Sequence, residues 1–332
     1  MKRRDFISAS AAASLGLMGN ASASQTKQDH LKDYRGTFST NDNQVAVYTR
    51  AQVKPTRIFH ITDTHLSRDD ERGEAYQEFS ARMAAAYTSN AHFQSGESYS
   101  AEESFELTLE TVQKEKADFI ALTGDIFSFP SEAAVEWARQ KLDATGIPFA
   151  YVAGNHDWHY EGMTGSSHEL RDTWTTKRLM PMYQGNHPLY AAYDLNGIRF
   201  VCIDNSTYEI LPEQLEFFRT QSDQALPLLL LMHIPIYMPG RSMGHGCGHP
   251  DWGEERDRNY RVERREKWRK GGHAKTTMDF CCEVFETPNL LAVLAGHTHR
   301  QSLDIKNGIP QVVSQYNAGG YYADIHIEAL DT

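Results

Sequence analysis

Seven side chains with oxygen or nitrogen donors follow short apolar segments of the sequence and are candidate metal ligands. They are two aspartates, one asparagine and four histidines: Asp63, His65, Asp125, Asn155, His233, His297 and His299. None is a cysteine, and seven donors exceed what one four-coordinate ion binds. The set therefore predicts two divalent ions that share one carboxylate. Two such ions roughly 3.5–4 Å apart can bind both the attacking and the leaving oxygen of a phosphoryl transfer.

The apolar segments that precede these donors are typical of buried β-strands. Six such segments are present, at 57–61, 119–122, 148–152, 199–203, 228–232 and 290–294. Helices are expected at 101–116, 131–145 and 212–223, and hairpin turns at Asn196-Gly197 and Asn307-Gly308. This alternation predicts an α/β fold with mixed sheets.

The position of the donors within this fold predicts one common site. Ligands bind at the carboxyl ends of the strands in open α/β sheets. Residues i and i+2 of a strand point to the same side. We therefore expect Asp63 with His65, and His297 with His299, to face the site together.

The ordered set of motifs resembles that of the calcineurin-like metallophosphoesterase superfamily. The motifs are Asp63-x-His65, Gly124-Asp125, Gly154-Asn155-His156-Asp157, His233 and Gly296-His297-x-His299, within residues 56–303. The resemblance implies a sandwich of two β-sheets flanked by helices, with a di-metal site at the carboxyl ends of the strands. The metals it implies are Mn, Fe or Zn, and the sequence does not choose among them.

The resemblance also implies a role for each residue. The first metal would be held by Asp63, His65 and His299, and the second by Asn155, His233 and His297, with Asp125 bridging both. His156 would be the general acid that protonates the leaving group. Asp157 would be either the orienting partner of His156 or a hydrogen-bond acceptor behind the ligands.

The implied reaction is hydrolysis of a phosphate mono- or diester, with attack by a hydroxide that bridges the two metals. The enzyme would be a metal-dependent phosphoric ester hydrolase, either a phosphatase or a phosphodiesterase. Ser128 stands where related subgroups carry an acid or a tyrosine ligand, so no subgroup is assumed. The alternative is a non-catalytic member of the same fold that serves as a binding scaffold. Such members usually have incomplete ligand sets, whereas this set is complete.

The amino-terminal residues are typical of an export signal. Residues 1–23 combine Arg3-Arg4 with a short apolar segment and a small-residue cleavage site, which resembles a twin-arginine signal peptide. Residues 24–43 are expected to form a polar linker, and 44–332 the metallophosphoesterase domain. The protein is therefore expected to be exported, to the periplasm or beyond, with the twin-arginine export machinery as a partner.

Composition limits the other partners. The formal net charge of −11 argues against a stable coat on nucleic acid. No apolar stretch of about 18 residues occurs, so no membrane span is expected in the mature form. The expected ligand is a phosphorylated substrate.

Residues 239–275 interrupt the pattern as an insertion rich in charged side chains, either a solvated helix or a substrate lid. Within it, His245-x-Cys247-x-His249 matches no common zinc motif. A disulfide from Cys247 to Cys281 or Cys282 stays open, with buried free thiols as the default.

Two further residues lie beside the motifs. His60 is predicted to be a packed strand residue rather than a ligand. Trp158 has two open alternatives, lining the substrate cleft or packing at the domain edge.

Overall fold

Two six-stranded mixed β-sheets form the centre of the protein in the computed structural model, which describes residues 34–238 and 272–330. Helices cover the outer faces of the sheets, so the architecture is the predicted mixed α/β fold with two sheets flanked by helices. The predicted signal peptide lies outside the described residues, as do the linker up to residue 33 and residues 239–271 of the insertion. Of the helices in the described ranges, none is both long and apolar enough to cross a bilayer.

The first sheet has the strand order β1-β2-β14-β3-β6-β7. Its strands are β1 Arg35–Asn41, β2 Gln44–Thr49, β3 Thr56–Ile61, β6 Phe119–Thr123, β7 Phe149–Val152 and β14 Ala323–Ala329. Strands β3, β6 and β7 are parallel, and β14 runs antiparallel to β3. The carboxyl ends of three strands therefore meet at one edge, which also receives the start of β14.

The second sheet has the order β12-β13-β11-β10-β9-β8. Its strands are β8 Tyr190–Leu195, β9 Ile198–Ile203, β10 Leu228–Leu231, β11 Leu290–Ala295, β12 Ser302–Lys306 and β13 Ile309–Val313. The four central strands are parallel, and the edge strands β8 and β12 are antiparallel to their neighbours. A small separate hairpin joins β4 Asn90–Ala91 and β5 Ser98–Tyr99.

Within residues 34–238 and 272–330, six α-helices flank the sheets. They are α1 Gln77–Ala85, α2 Ala101–Lys114, α3 Glu132–Thr145, α4 Ser167–Trp174, α5 Pro212–Ser222 and α6 Lys275–Val284. Ser131 caps α3 by accepting the N–H of Ala134, and Gly146 ends the helix in the left-handed conformation. Both features are common ways in which helices begin and end.

The apolar core between the sheets explains why the strand sequences are so hydrophobic. Phe119 of β6 packs against Phe200 of β9 with ring centroids 4.2 Å apart, and both are fully buried. Leu229 and Leu231 of β10 join the same cluster. Separate clusters lie between each sheet and its helices, so the central strands are buried on both faces. Such strands read as continuous apolar runs rather than as alternating patterns.

The predicted strands, helices and hairpin turns are confirmed, with small shifts at their ends. Asn196-Gly197 joins β8 to β9, and Asn307-Gly308 joins β12 to β13. All four of these residues have positive φ, the conformation that a type I′ turn requires.

The linker prediction for residues 24–43 is wrong from residue 35 onward, because β1 occupies Arg35–Asn41 and pairs with β2. As an edge strand with mostly exposed side chains, β1 needs backbone partners but few apolar residues. Its composition therefore resembles that of a linker.

Candidate metal centre

The candidate ligands lie just beyond the strand ends and have an uncommon backbone conformation. Strands β3, β6 and β11 end at Ile61, Thr123 and Ala295. Five of the seven candidates have φ in the left-handed region: Asp63, His65, Asp125, His297 and His299, with φ between 51° and 69°. Residues other than glycine rarely adopt this conformation, and those that do are concentrated at functional sites. Asp63 with His65, and His297 with His299, do contribute to one centre as expected, but loops position them rather than strand alternation.

Hydrogen bonds between neighbouring loops hold this backbone in place. The N–H of Asp63 donates to the carbonyl of Gly124, and the N–H of His65 donates to that of Asp125, both at 2.9 Å. The loops that follow β3 and β6 thus run side by side. The residues they carry consequently have fixed relative positions.

The first group of donors consists of Asp63, His65 and His299. His299 Nε2 lies 3.2 Å from Asp63 Oδ1 and 3.1 Å from His65 Nε2, and His65 Nε2 lies 4.0 Å from Asp63 Oδ1. Atoms bound to one ion at about 2.0–2.2 Å lie roughly 3–3.5 Å apart in tetrahedral or octahedral geometry. The three atoms are thus close to the spacing of ligands on one metal.

The second group consists of Asp125, His233 and His297. His233 Nε2 lies 3.2 Å from Asp125 Oδ2. On the other side of the ring, His233 Nδ1 lies 2.7 Å from the carbonyl of Thr123. Nδ1 must carry the hydrogen for that contact, so the lone pair of a neutral ring is on Nε2 and faces the site.

A third set of donors connects the two groups, because it shares His65 with the first and Asp125 with the second. His65, Asp125 and His156 place one donor atom each within 4.8 Å of one another. Asp125 belongs to two of the three sets and His65 to two, so the donors form one continuous centre. These donors could hold divalent metal ions, and neighbouring sets share His65 or Asp125.

Unsatisfied buried atoms support a fit to metal ions. Asp63 Oδ1, Asn155 Oδ1 and His233 Nε2 are buried and make no hydrogen bond of normal geometry in the described part of the chain. Asp63 Oδ1 and His233 Nε2 lie 3.2 Å from His299 Nε2 and Asp125 Oδ2, as ligands of a shared ion would. A buried polar atom without a partner costs about 1–3 kcal/mol. Oxygen and imidazole donors without thiolates suit hard or borderline divalent cations. The residues present therefore fit divalent metals.

The electrostatics of the centre also favour positive charge. Burial would raise the pKa of Asp125, but His233 and His156 outweigh it and hold the pKa well below its usual value. Burial would likewise lower the pKa of His233, but Asp125 and then Asp63 raise it to about 9. Asp125 thus stabilises an adjacent positive charge, either a proton on His233 or a metal ion. Burial, followed by His156 and His299, lowers the pKa of His65, which keeps this imidazole neutral and able to bind a cation.

Two glycines of the motifs allow the loops to approach this closely. A Cβ on Gly296 would lie 1.9 Å from Thr62 Oγ1 and 2.5 Å from Asp63 Oδ2. A Cβ on Gly154 would lie 2.2 Å from both the backbone nitrogen and Oδ1 of Asp125. Larger residues at either position would displace a candidate ligand.

His156 lies at the centre, whereas Asp157 lies behind it. The His156 backbone N–H donates to Asp125 Oδ1 at 2.7 Å, and its Nδ1 lies 3.4 Å from the carbonyl of Ser128. The Asp157 carboxylate accepts the backbone N–H groups of Asp125, Gly154 and Phe127 at 2.7–3.0 Å. Asp157 is thus the hydrogen-bond acceptor behind the ligands. It is not the orienting partner of His156, a role that falls to a backbone carbonyl.

The two residues beside the motifs are packed. His60 is fully buried, and its Nε2 lies 2.7 Å from Thr123 Oγ1, as predicted for a strand residue. Burial lowers the pKa of His60 to about 3, so its ring is neutral. Trp158 is 4% exposed and donates from Nε1 to Ser206 Oγ, which selects the packing alternative. The zinc and disulfide alternatives involve Cys247, which lies outside the described residues.

Sequence analysis missed two residues that position ligands. Asn205 Oδ1 accepts the backbone N–H groups of His233 and Ile234, which fixes the loop that presents His233. The Tyr87 ring stacks on the His65 ring, with centroids 4.0 Å apart and planes 9° apart. Asn205 follows strand β9 just as the ligands follow the other strands, so its place at a strand end was a usable signal. Tyr87 offered no such signal.

Comparisons with known proteins agree with this geometry. A family model described as calcineurin-like phosphoesterase matches residues 56–301, more than half of the chain. This range contains every candidate ligand and His156.

Individual relatives are more distant. A "Probable cyclic nucleotide phosphodiesterase" of Psychrobacter arcticus is 23% identical over 282 residues, covering 82% of this chain and 80% of the relative. A protein of the same name from Moraxella catarrhalis is 27% identical over 114 residues, and that match spans only 34% of this chain and 32% of the relative. A dimetal phosphatase structure from Danio rerio has a TM-score of 0.47 at 12% identity, covering 80% of this chain and 91% of that one.

Proposed function

The chain belongs to the calcineurin-like phosphoesterase family, and from this premise we propose that it is an exported phosphoric ester hydrolase with a two-metal centre. The observation that carries the proposal is the continuity of the donor sets, in which Asp125 lies between two groups of histidines. Export is supported by the sequence of residues 1–23 alone.

The proposed ligand assignment is the one that the motif resemblance implies, and the three donor sets support it. The first ion would be held by Asp63, His65 and His299, the second by Asn155, His233 and His297, and Asp125 would contact both. Two divalent ions, when bound there, would supply an activated water as nucleophile and neutralise charge on the phosphoryl oxygens. Asp157 and Asn205 would maintain the loops that carry these ligands.

His156 would supply the proton that the leaving oxygen needs. Its ring lies beside His65, with centroids 4.9 Å apart, and the residue is partly exposed. The Ser128 carbonyl near Nδ1 favours a hydrogen on that nitrogen, so Nε2 would donate a proton to the leaving oxygen from the doubly protonated ring. A positioned proton donor of this kind typically contributes about 10²–10⁴-fold to the rate.

The proposal is tested with chelator-treated protein reloaded separately with Mn, Fe or Zn. Aryl phosphate monoesters and diesters are assayed in parallel, and the names of the two relatives make diesters the first to try. We expect hydrolysis of at least one class, lost on chelation and restored by metal. No hydrolysis of either class with any of the three metals would favour the non-catalytic scaffold instead.

A further inference from the structure

A third side chain outside the motifs, that of Asn317, contacts a loop that carries a candidate ligand. Asn317 is fully buried in the connection from β13 to β14. Its N–H donates to the carbonyl of Thr62 at 2.8 Å, and its Oδ1 accepts the hydroxyl of Thr64 at 3.2 Å. The N–H of the next residue, Ala318, donates to the carbonyl of Asp63 at 3.2 Å. Asn317 and Ala318 therefore contact each of these three consecutive residues of the loop after β3.

These contacts hold the backbone of Asp63, whose φ of 53° lies in the left-handed region. The carbonyls of Thr62 and Asp63 belong to the two peptide groups that flank the Asp63 Cα. Because peptide groups are planar, the two hydrogen bonds limit rotation on both sides of that atom. A residue other than glycine keeps such a φ only where the surrounding structure enforces it. The position of the Asp63 carboxylate thus depends on residues 317–318.

Residues 317–318 are in turn anchored to helix α2. Asn317 Nδ2 donates to Thr108 Oγ1 and to the carbonyl of Tyr321, both at 2.9 Å. Since a carbonyl can only accept, the second bond settles which end of the amide faces Tyr321. Ser104 Oγ donates to the carbonyl of Ala318 at 2.8 Å. The Asn317 side chain therefore joins α2 and its own loop to the loop after β3.

The residue before Asn317 reaches another donor of the first group. The Tyr316 ring stacks on the His299 ring, with centroids 5.5 Å apart and planes 23° apart. Residues 316–318 thus contact two of the three donors of the first group, Asp63 and His299. In the described part of the chain, none of their hydrogen bonds and ring contacts reaches a donor of the second group.

The second group has a buried asparagine of its own. Asn205 Oδ1 accepts the N–H groups of His233 at 3.2 Å and Ile234 at 3.0 Å, and its Nδ2 donates to the carbonyl of Ile234 at 2.7 Å. Asn205 lies in the loop after β9, whereas Asn317 lies in the loop before β14. Separate side chains therefore hold the loops that carry the two groups of donors.

We propose that Asn317 is the positioning residue of the first ion, and that it sets the affinity for this ion without affecting the second. The inference rests on the proposed two-metal centre and adds what controls each ion separately. Asn317 contacts neither metal nor substrate, and it acts by holding Asp63 in place before the ion binds. Removing a hydrogen-bonding partner behind a ligand typically lowers metal affinity about 10- to 100-fold.

The experiment measures Mn²⁺ binding to chelator-treated protein by isothermal titration calorimetry, in two backgrounds that each retain one ion. His233→Ala removes a ligand of the second ion and leaves the first, whereas His299→Ala does the opposite. We expect Asn317→Ala to weaken binding about tenfold or more in the His233→Ala background, and less than about twofold in the other. If Asn317→Ala does not fold, Thr64→Val decides by the same comparison, because it removes only the hydroxyl that donates to Asn317.

Asn289→Ala is the matched control. Asn289 is also fully buried, and its Nδ2 donates to the carbonyls of Gln224 at 3.0 Å and Leu226 at 2.7 Å. It lies directly before β11, at the end of that strand opposite to the metal centre. We expect this variant to lower the free energy of unfolding and to leave Mn²⁺ affinity unchanged within about twofold in both backgrounds.

Equal weakening in both backgrounds, no weakening in either, or weakening only in the His299→Ala background would overturn the role given to Asn317. Calorimetry needs no substrate, so this outcome is separate from that of the proposed function. Selective weakening in a protein that hydrolyses no ester would leave the role of Asn317 standing while the proposed function fails. Hydrolysis with equal weakening would do the reverse, and a parent protein that binds fewer than two Mn²⁺ ions would contradict both.

Discussion

The carboxylate of Asp157 accepts a 3.0 Å hydrogen bond from the backbone N–H of Asp125, across 32 positions of the sequence. The same oxygen accepts the N–H of Gly154, and the other oxygen accepts the N–H of Phe127. One buried side chain therefore ties the loop after β6 to the loop after β7. The position of the shared candidate ligand depends on this link.

The first prediction concerns a substitution that removes one hydrogen-bond acceptor from that link. In Asp157→Asn an amide nitrogen replaces one carboxylate oxygen, so at least one backbone N–H loses its acceptor. We expect the free energy of unfolding to fall by about 1–3 kcal/mol, and metal affinity to fall with it. Urea unfolding and metal titration measure the two effects.

The control is Glu78→Gln, a substitution of an exposed acid on α1, which should change the free energy of unfolding by less than about 0.5 kcal/mol. Unchanged stability in Asp157→Asn would contradict the role given to the link.

The second prediction concerns the shared ligand. Asp125→Asn should lower the amount of bound metal and abolish turnover, because Asp125 belongs to two of the three donor sets. Elemental analysis of the purified variant and the aryl ester assay measure these. Asp143→Asn, an exposed carboxylate on α3, serves as the control. Full metal content with activity within about threefold of the parent would rule out a two-metal centre that shares Asp125.

The third prediction separates proton donation from metal binding. His156→Ala should retain nearly normal metal content, because the proposed ligand in this loop is the adjacent Asn155. Activity should fall more for esters with poorly stabilised leaving groups than for nitrophenyl esters, whose leaving group needs little protonation. His159→Ala, a half-buried histidine in the same loop, should not change that ratio. An equal loss on both kinds of ester would count against His156 as the general acid.

The fourth prediction is a pH dependence of stability away from the centre. Asp324 accepts two hydrogen bonds from Arg57, at 2.9 Å from Nε and 2.6 Å from Nη2. Burial would raise the pKa of Asp324, but Arg57 and then His326 outweigh it and lower the pKa. A lowered folded-state pKa contributes stability above the unfolded pKa of about 4, and this contribution is lost as the pH falls through the folded pKa.

Urea unfolding of the parent and of Asp324→Asn between pH 7 and pH 3 tests this sign. The difference in unfolding free energy should narrow as the pH falls below about 4. Lys275 and Asp279 form an ion pair on the surface of α6, so Asp279→Asn provides a comparison with little expected effect. A difference that widens below about pH 4 would show that the pair does not lower the pKa.

The fifth prediction concerns export. Arg3→Lys combined with Arg4→Lys keeps the charge but removes the twin arginines, so the variant should stay in the cytoplasm with its signal uncleaved. Cell fractionation with immunoblotting measures both location and size. Lys27→Arg with Lys32→Arg lies beyond the predicted cleavage site and should be exported normally. Normal export of the twin-lysine variant would indicate the general secretory route.

Much of the fold was predictable because its central strands are buried on both faces. Phe119–Thr123 and Leu228–Leu231 are short, almost entirely apolar segments, which are typical of strands buried on both faces. Strand β1 was not predictable from its sequence. It lies at the edge of the sheet, where its backbone forms hydrogen bonds with one neighbouring strand and most of its side chains are exposed. Its sequence therefore carries no burial signal.

The sequence by itself determined the donor types, their order along the chain and their place after the strands. The resemblance of the motifs also implied how the donors divide between two ions, but only the tertiary structure decided how the chain brings each donor to its group. His297 and His299 are two positions apart, yet His299 joins Asp63 and His65 while His297 joins Asp125 and His233. The physical reason is the left-handed backbone at these residues, which strand periodicity does not contain. Contacts with loops distant in sequence hold that backbone: the N–H of His297 donates to Asp63 Oδ2 at 2.8 Å, and Gly296 leaves room for Thr62.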